Sequence, residues 1–261
     1  MSDLILRNDT GHVAHLTLNS PANFNALSTE MIAALSGALT QIAGDDAIRA
    51  VILSGAGKAF CAGHDLRQMQ AARGDNDGGR AAYETLFADC ARMMQMIPDL
   101  PQPVIAQVHG IATAAGCQLV ASCDLAVAAE GTRFGVNGVN IGLFCSTPMV
   151  ALTRAVAPKA AFEMLATGEF VDALRAREIG LVNRVAAPDA LAEVTMDMAQ
   201  TLAGKLPAAM RLGKRAFHDQ LRLGTGDAYA TAGATMCENM MLPDTAEGID
   251  AFLNKRPPNW A

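Results

Sequence analysis

No two of the six cysteines (Cys61, Cys90, Cys117, Cys123, Cys145 and Cys237) stand at C-x-x-C spacing, and none has a histidine nearby at finger spacing. That excludes structural zinc and a dithiol redox motif; the thiols read as reduced and mostly buried. Basic charge is also short, with 20 Lys and Arg against 26 Asp and Glu, a net charge of −6 and a pI near 5.3. Such a chain has no field to draw nucleic acid or an anionic membrane surface, so a phosphate-bearing ligand needs a local basic site. Unbroken apolar runs are missing as well. The most membrane-like stretch, residues 104–130, is interrupted by Gln107, His109, Gln118 and Asp124, short of the ~18 residues of a span. It reads as buried strand, turn, helix and strand. Residues 1–9 hold neither a basic start before an apolar core nor an Arg/Ser-rich transit pattern, from which a cytoplasmic location is expected.

What the chain does have is apolar content, 51% over 261 residues, enough to bury a substantial core. The length exceeds the roughly 100–200 residues usual for one domain, so one main domain with an appendage is expected. Residues 12–18 alternate polar and apolar side chains as a half-buried strand does, and Asn19-Ser20-Pro21 turns the chain. Ser28 then suits an N-cap, and Met31, Leu35, Leu39 and Ile42 recur at helical spacing until Gly44. Continuous apolar runs at 50–54, 104–108 and 125–128 read as strands buried on both faces. A polar, glycine-dense insert at 74–79 precedes an expected helix over 80–96. Beyond Pro158 the pattern gives a helix over 159–167 closed by Gly168, another over 172–179 between Asp172 and Gly180, and a strand over 181–185. From 191 onward the chain is helix-compatible, and the Met-rich stretch at 236–241 reads as core or subunit contact. Strands leading repeatedly into helices make this an α/β protein around a central sheet. The boundary is placed near residue 195, giving a core segment 1–195 and a helical segment 196–261.

Two short stretches carry most of the functional information. Residues 60–66 read Phe-Cys-Ala-Gly-His-Asp-Leu, and residues 110–119 read Gly-Ile-Ala-Thr-Ala-Ala-Gly-Cys-Gln-Leu. Each follows an apolar, β-branched segment and places small residues where the chain must turn, so each can present bare backbone N–H groups to a ligand. Together they have the character of an oxyanion hole; alone, each is a tight turn.

With residues 19–27 (Asn-Ser-Pro-Ala-Asn-Phe-Asn-Ala-Leu), residues 168–182 and the ending Glu-Gly-Ile-Asp-Ala-Phe-Leu-Asn-Lys-Arg-Pro-Pro at 247–258, these stretches resemble the enoyl-CoA hydratase/isomerase, or crotonase, superfamily. The resemblance implies a spiral of ββα units whose C-terminal helices build a homotrimer, often paired into a dimer of trimers. It implies an acyl-CoA substrate, with coenzyme A entering as part of that substrate and no separate cofactor. The two N–H donors fall on His64 and Ala115, and Asn25, Ala26, Leu27, Ala62, Asp65, Leu66, Gly116, Gly138 and Cys145 fall at the substrate. Phe252 and Lys255 fall where one subunit approaches the adenine of coenzyme A bound to its neighbour; alternatively Lys255 and Arg256 form a solvated helix end. Ala22 stands where the family often has a basic residue for the phosphates. The insert at 74–79 is either a surface loop or, with the following helix, a flap over the acyl group.

Hydration of a 2,3-double bond needs a base to activate water and an acid to protonate carbon, usually two carboxylates. At the positions resembling the family's two glutamates this chain has Gln118 and Gly138. Gln118 can orient water but carries no proton near neutral pH, and Gly138 offers no side chain. His64 is the natural substitute by residue type, although its amide is the group the resemblance assigns. Asp65 suits a structural or binding role. Asp124 suits a backbone anchor, and His12, His15, His109 and His218 have no matching acid or nucleophile in the sequence. Residues 140–148 (Asn-Ile-Gly-Leu-Phe-Cys-Ser-Thr-Pro) depart from the family's glycine-rich segment and resemble the subgroup of hydratase domain-containing proteins. Three readings follow: an acyl-CoA enzyme that polarises a thioester without the two-glutamate machinery, a non-catalytic acyl-CoA binder, or a hydrolase or dehalogenase acting through Cys145 or a nearby group.

Overall fold

The computed structural model describes residues 3–259; Met1, Ser2, Trp260 and Ala261, the outer ends of the two expected segments, lie outside it. The strands are β1 (Ile5–Thr10), β2 (Val13–Leu18), β3 (Ala50–Gly55), β4 (Val104–Val108), β5 (Ile111–Thr113), β6 (Leu125–Ala129), β7 (Arg133–Gly135), β8 (Val171–Asp172) and β9 (Arg184–Ala186). They form a six-stranded sheet in the order β1-β2-β3-β4-β6-β9 and a smaller one, β5-β7-β8. In the larger sheet only the β1–β2 pair is antiparallel. The apolar runs at 50–54 and 104–108 are its central strands, covered on both faces as their composition predicts.

The helices are α1 (Thr29–Ala43), α2 (Leu66–Ala72), α3 (Arg80–Asp99), α4 (Ala115–Ser122), α5 (Ser146–Ala155), α6 (Pro158–Thr167), α7 (Ala173–Glu178), α8 (Leu191–Ala203), α9 (Pro207–Gln220), α10 (Thr225–Met240) and α11 (Pro243–Leu253). Local chemistry sets several of their ends. Ser28 accepts from the Met31 amide at the start of α1, Gly44 closes it, and Asp172 accepts from the Arg175 amide of α7. One expected strand is shorter than its sequence pattern. The amides of Leu181 and Val182 turn back to the Ala176 carbonyl and close α7, so the ladder of β9 begins only at Arg184.

Strand alternation splits the core. Leu16, Leu18, Val51, Leu53, Val104 and Ala106 face α1, α3 and α4, whereas Val13, Ala50, Ile52, Ile105 and Val127 face Leu191, Met198 and Ala199 of α8. Residue 195 lies inside this helix, so α8 still belongs to the packing of the sheet.

Asp124, between α4 and β6, anchors the next helix. One carboxylate oxygen accepts from the Val104 amide at 2.7 Å and pairs with Lys214 Nζ at 2.7 Å; the other lies 3.0 Å from His218 Nε2. Lys214 also donates to the carbonyls of Ile97 and Gln102. His218 therefore has an acid partner 94 residues away, a correction to the sequence reading, in which it had none. No helix among the described residues is long and apolar enough to cross a membrane.

Candidate active site

Residues 60–64 run between β5 on one side and residues 24–27 on the other. Phe60 and Cys61 donate to the carbonyls of His109 and Ile111, and Thr113 donates back to Cys61. On the far side Ala62 donates to Phe24 and Leu27 donates to Gly63, with Leu27 and His64 bridged in parallel. Asn25 holds this crossing from beneath. Fully buried, it gives its amide nitrogen to the carbonyls of Ala56, Ala59 and Phe60, and its oxygen accepts from the Ser20 amide. Its carboxamide is wholly engaged within the protein. Ala26 and Leu27 are buried beside it.

Two glycines press the turns together. Gly63 has φ +87°, and a Cβ there would lie 2.9 Å from Ala114 Cβ and 3.2 Å from the Ala115 nitrogen. At Gly116 a Cβ would collide with the Cys61 carbonyl. Ala114 pays for the close approach with φ +49° and ψ −119°, a backbone state that residues with a Cβ rarely adopt. Its amide is held by the Gly135 carbonyl at 2.8 Å, and α4 starts directly after it. The Ala115 amide is thus the first of the helix and has no partner within it. Among the described residues neither the His64 nor the Ala115 N–H donates to a protein acceptor. Two free donors at a turn and a helix N-terminus suit an oxygen that gathers negative charge.

The flanking side chains divide into two sets. Asp65 caps α2, accepting from the amides of Arg67 and Gln68, and Leu66 is more than half exposed on that helix. Ala62 is half-buried. Gln118, one turn into α4, is only 4% exposed, and its Oε1 has no hydrogen-bond partner. His64 packs edge-on against Phe87 of α3 with ring centroids 5.5 Å apart. Phe87 escaped the sequence reading, as did the bond from Thr113 Oγ1 to Asn137 Oδ1 at 2.6 Å, which ties β5 to the turn before Gly138. The contact brings α3 to the site.

At Gly138 the side-chain space is already taken. A Cβ would collide with the Leu143 carbonyl oxygen and lie 2.9 Å from Cys145 Sγ, and the Leu143 amide donates to the Gly138 carbonyl. Cys145 is buried, and burial pushes its thiol up. Among the described residues no group of three or more His, Cys, Asp or Glu side chains could hold a metal. Phe252 and Lys255 lie on and just after α11, which packs against α10. Phe252 is 81% exposed, and the neighbouring Arg256 is bound to Glu247 and Asp250.

The enoyl-CoA hydratase/isomerase family profile matches residues 8–261. The zebrafish (Danio rerio) mitochondrial enoyl-CoA hydratase domain-containing protein 3 is 42% identical over 260 residues, 100% of this chain and 88% of that protein. The crystal structure of an enoyl-CoA hydratase from Mycobacterium smegmatis superposes with a TM-score of 0.94 at 55% identity, covering 98% of each chain. The human domain-containing protein 3 gives 0.93 at 40%, covering 98% of this chain and 100% of that one. The mitochondrial location in the zebrafish protein's name overturns the expectation of a cytoplasmic one. That expectation rested on a signal missing from residues 1–9, and a missing signal carries no positive information about compartment. The chain belongs to the enoyl-CoA hydratase/isomerase, or crotonase, family, in the subgroup of hydratase domain-containing proteins.

Proposed function

We propose that the chain binds an acyl-CoA and polarises its thioester carbonyl with the backbone amides of His64 and Ala115, without the paired glutamates of two-carboxylate hydratases. The observation that carries this is the pair of unpartnered amides, set side by side by Gly63 against Ala115. Two preorganised donors stabilise developing charge on oxygen by roughly 3–4 kcal/mol each in a site that excludes water. Gln118, buried with a free carboxamide oxygen, serves to orient a water or a polar acyl group. Coenzyme A enters with the substrate, and no further cofactor is required. The working unit is a homotrimer or a dimer of trimers, in which Phe252 and Lys255 approach the adenine end of coenzyme A on a neighbouring subunit. The filled space at Gly138 favours a second reading, a homologue that binds acyl-CoA without turning it over.

Incubation with crotonyl-CoA and longer enoyl-CoAs, with affinity measured separately by calorimetry, separates the readings. Expected are binding and a hydration rate about 100-fold or more below that of two-glutamate hydratases. Turnover at the rate of those enzymes contradicts the reading of Gln118 and Gly138. Binding with no turnover across a broad acyl-CoA panel selects the non-catalytic homologue.

A further inference from the structure

The Ala115 amide is only as well aimed as α4, the helix it begins, and α4 closes a circuit of chain. From Val104 the backbone runs through β4 and β5 to the strained Ala114, turns, and returns along α4 to Asp124. There the Asp124 carboxylate accepts from the Val104 amide at 2.7 Å, joining positions 20 residues apart. The Ala115 amide lies at the other end of α4 from this joint, about 12 Å away along a helix of eight residues. Residues 115–120 are all buried, so α4 moves as one packed rod and a shift at one end is carried to the other. The joint is held from outside the circuit. Lys214 and His218 of α9 sit on the two oxygens of the same carboxylate at 2.7 and 3.0 Å, and Lys214 also binds the carbonyls of Ile97 and Gln102 ahead of β4. Apolar packing does little to seat the C-terminal helices. Among the described residues α9 buries only Lys214, α10 none and α11 only Ala251.

We propose that Asp124 is a positioning residue, through which Lys214 and His218 fix the line of the Ala115 amide on the thioester oxygen, so that the seating of the C-terminal helices sets how strongly the carbonyl is polarised. The proposal rests on the acyl-CoA reading above. A carboxylate engaged by all three donors holds the start of β4 and the end of α4 at one separation. Loss of the His218 donor frees one oxygen, the joint loosens, and the amide at the far end of the rod leaves its best line. Hydrogen bonds weaken steeply as they bend, and a displacement of about 1 Å set up far from the reacting atoms is enough to cost about 100-fold in rate.

The carbonyl stretch of butyryl-CoA, isotopically labelled at the thioester carbon, reads this alignment without turnover. In infrared difference spectra at saturating ligand the wild-type protein is expected to lower the stretch from its value in free butyryl-CoA. His218→Ala is expected to lose most of that lowering, and His218→Gln, whose amide can donate to the same oxygen, to regain it. A merely structural role moves the melting temperature and leaves the frequency of the bound carbonyl in place. The wild-type frequency in folded His218→Ala, or a loss that His218→Gln does not reverse, overturns the role of Asp124 and leaves the two amides standing. A wild type that binds without lowering the stretch removes the role of the amides together with this one, and absence of binding removes the acyl-CoA reading as well. Should His218→Ala not fold, the coupling is read in reverse on the wild type, because coupling between two sites is reciprocal. A His218 imidazole nitrogen signal that shifts in NMR on adding butyryl-CoA supports the proposal, and one that stays in place overturns it.

Discussion

Gly63 is the residue on which the site turns, because its missing Cβ and positive φ bring the His64 and Ala115 amides together. Gly63→Ala is expected to cost about 1–3 kcal/mol of stability in urea unfolding. It should also lower any acyl-CoA turnover about 100-fold, as loss of one preorganised donor does. Gly138 invites the opposite experiment. Gly138→Glu is expected to leave hydration of crotonyl-CoA unrestored and to destabilise the fold by about 1–3 kcal/mol, since its first carbon meets the Leu143 carbonyl. A hydratase assay and a melt check both halves. His64 and His15 give a pH dependence of defined sign. Burial lowers both imidazoles below 6.5, so the unfolded chain binds protons first as the pH falls. Their contribution is complete above 6.5, declines below it, and levels off once the folded-state values are passed. Urea midpoints should fall with pH across that window, and less steeply in His64→Gln.

Among elements, the attachment of α9 depends most on a buried charge. Lys214 and Asp124 are both shielded from water and joined at 2.7 Å, with His218 on the second carboxylate oxygen. Asp124→Asn leaves the Lys214 charge buried beside a neutral group, a change expected to cost about 3–5 kcal/mol in the same unfolding measurement. This triad also shows where sequence reading stops. Ser28, Asp172 and Gly44 announce helix ends because their partners lie within a few residues, and the central strands announce themselves by unbroken apolar runs. Asp124 could be read as an anchor, but its partners on α9 could not, because no local pattern encodes a contact spanning 94 residues. The site divides in the same way. The small residues of the two turns were legible, whereas the packing of Gly63 on Ala114, the Phe87 brace and the filled space at Gly138 exist only once distant segments meet.

For the whole molecule, the surface left by one chain is informative. Tyr229, Met241 and Phe252, on or beside α10 and α11, are each more than three-quarters exposed, a costly arrangement in water and a suitable one for contact with a second copy. The protein is expected to sediment as a trimer or hexamer, and Met241→Glu to shift it toward the monomer. The α/β architecture and family were readable from sequence because they rest on patterns repeated along the whole chain; compartment was not, because it was inferred from a missing signal. The loop that fills the space beside Gly138 also bears on how a carboxylate could be introduced there. From this sequence a carboxylate at position 138 is not one substitution away in any useful sense, since the intermediate carrying it first is a poorer protein with nothing gained. Residues 143–145 have to move before a side chain at position 138 can be accommodated, so a carboxylate there calls for a reshaped loop as well as the substitution.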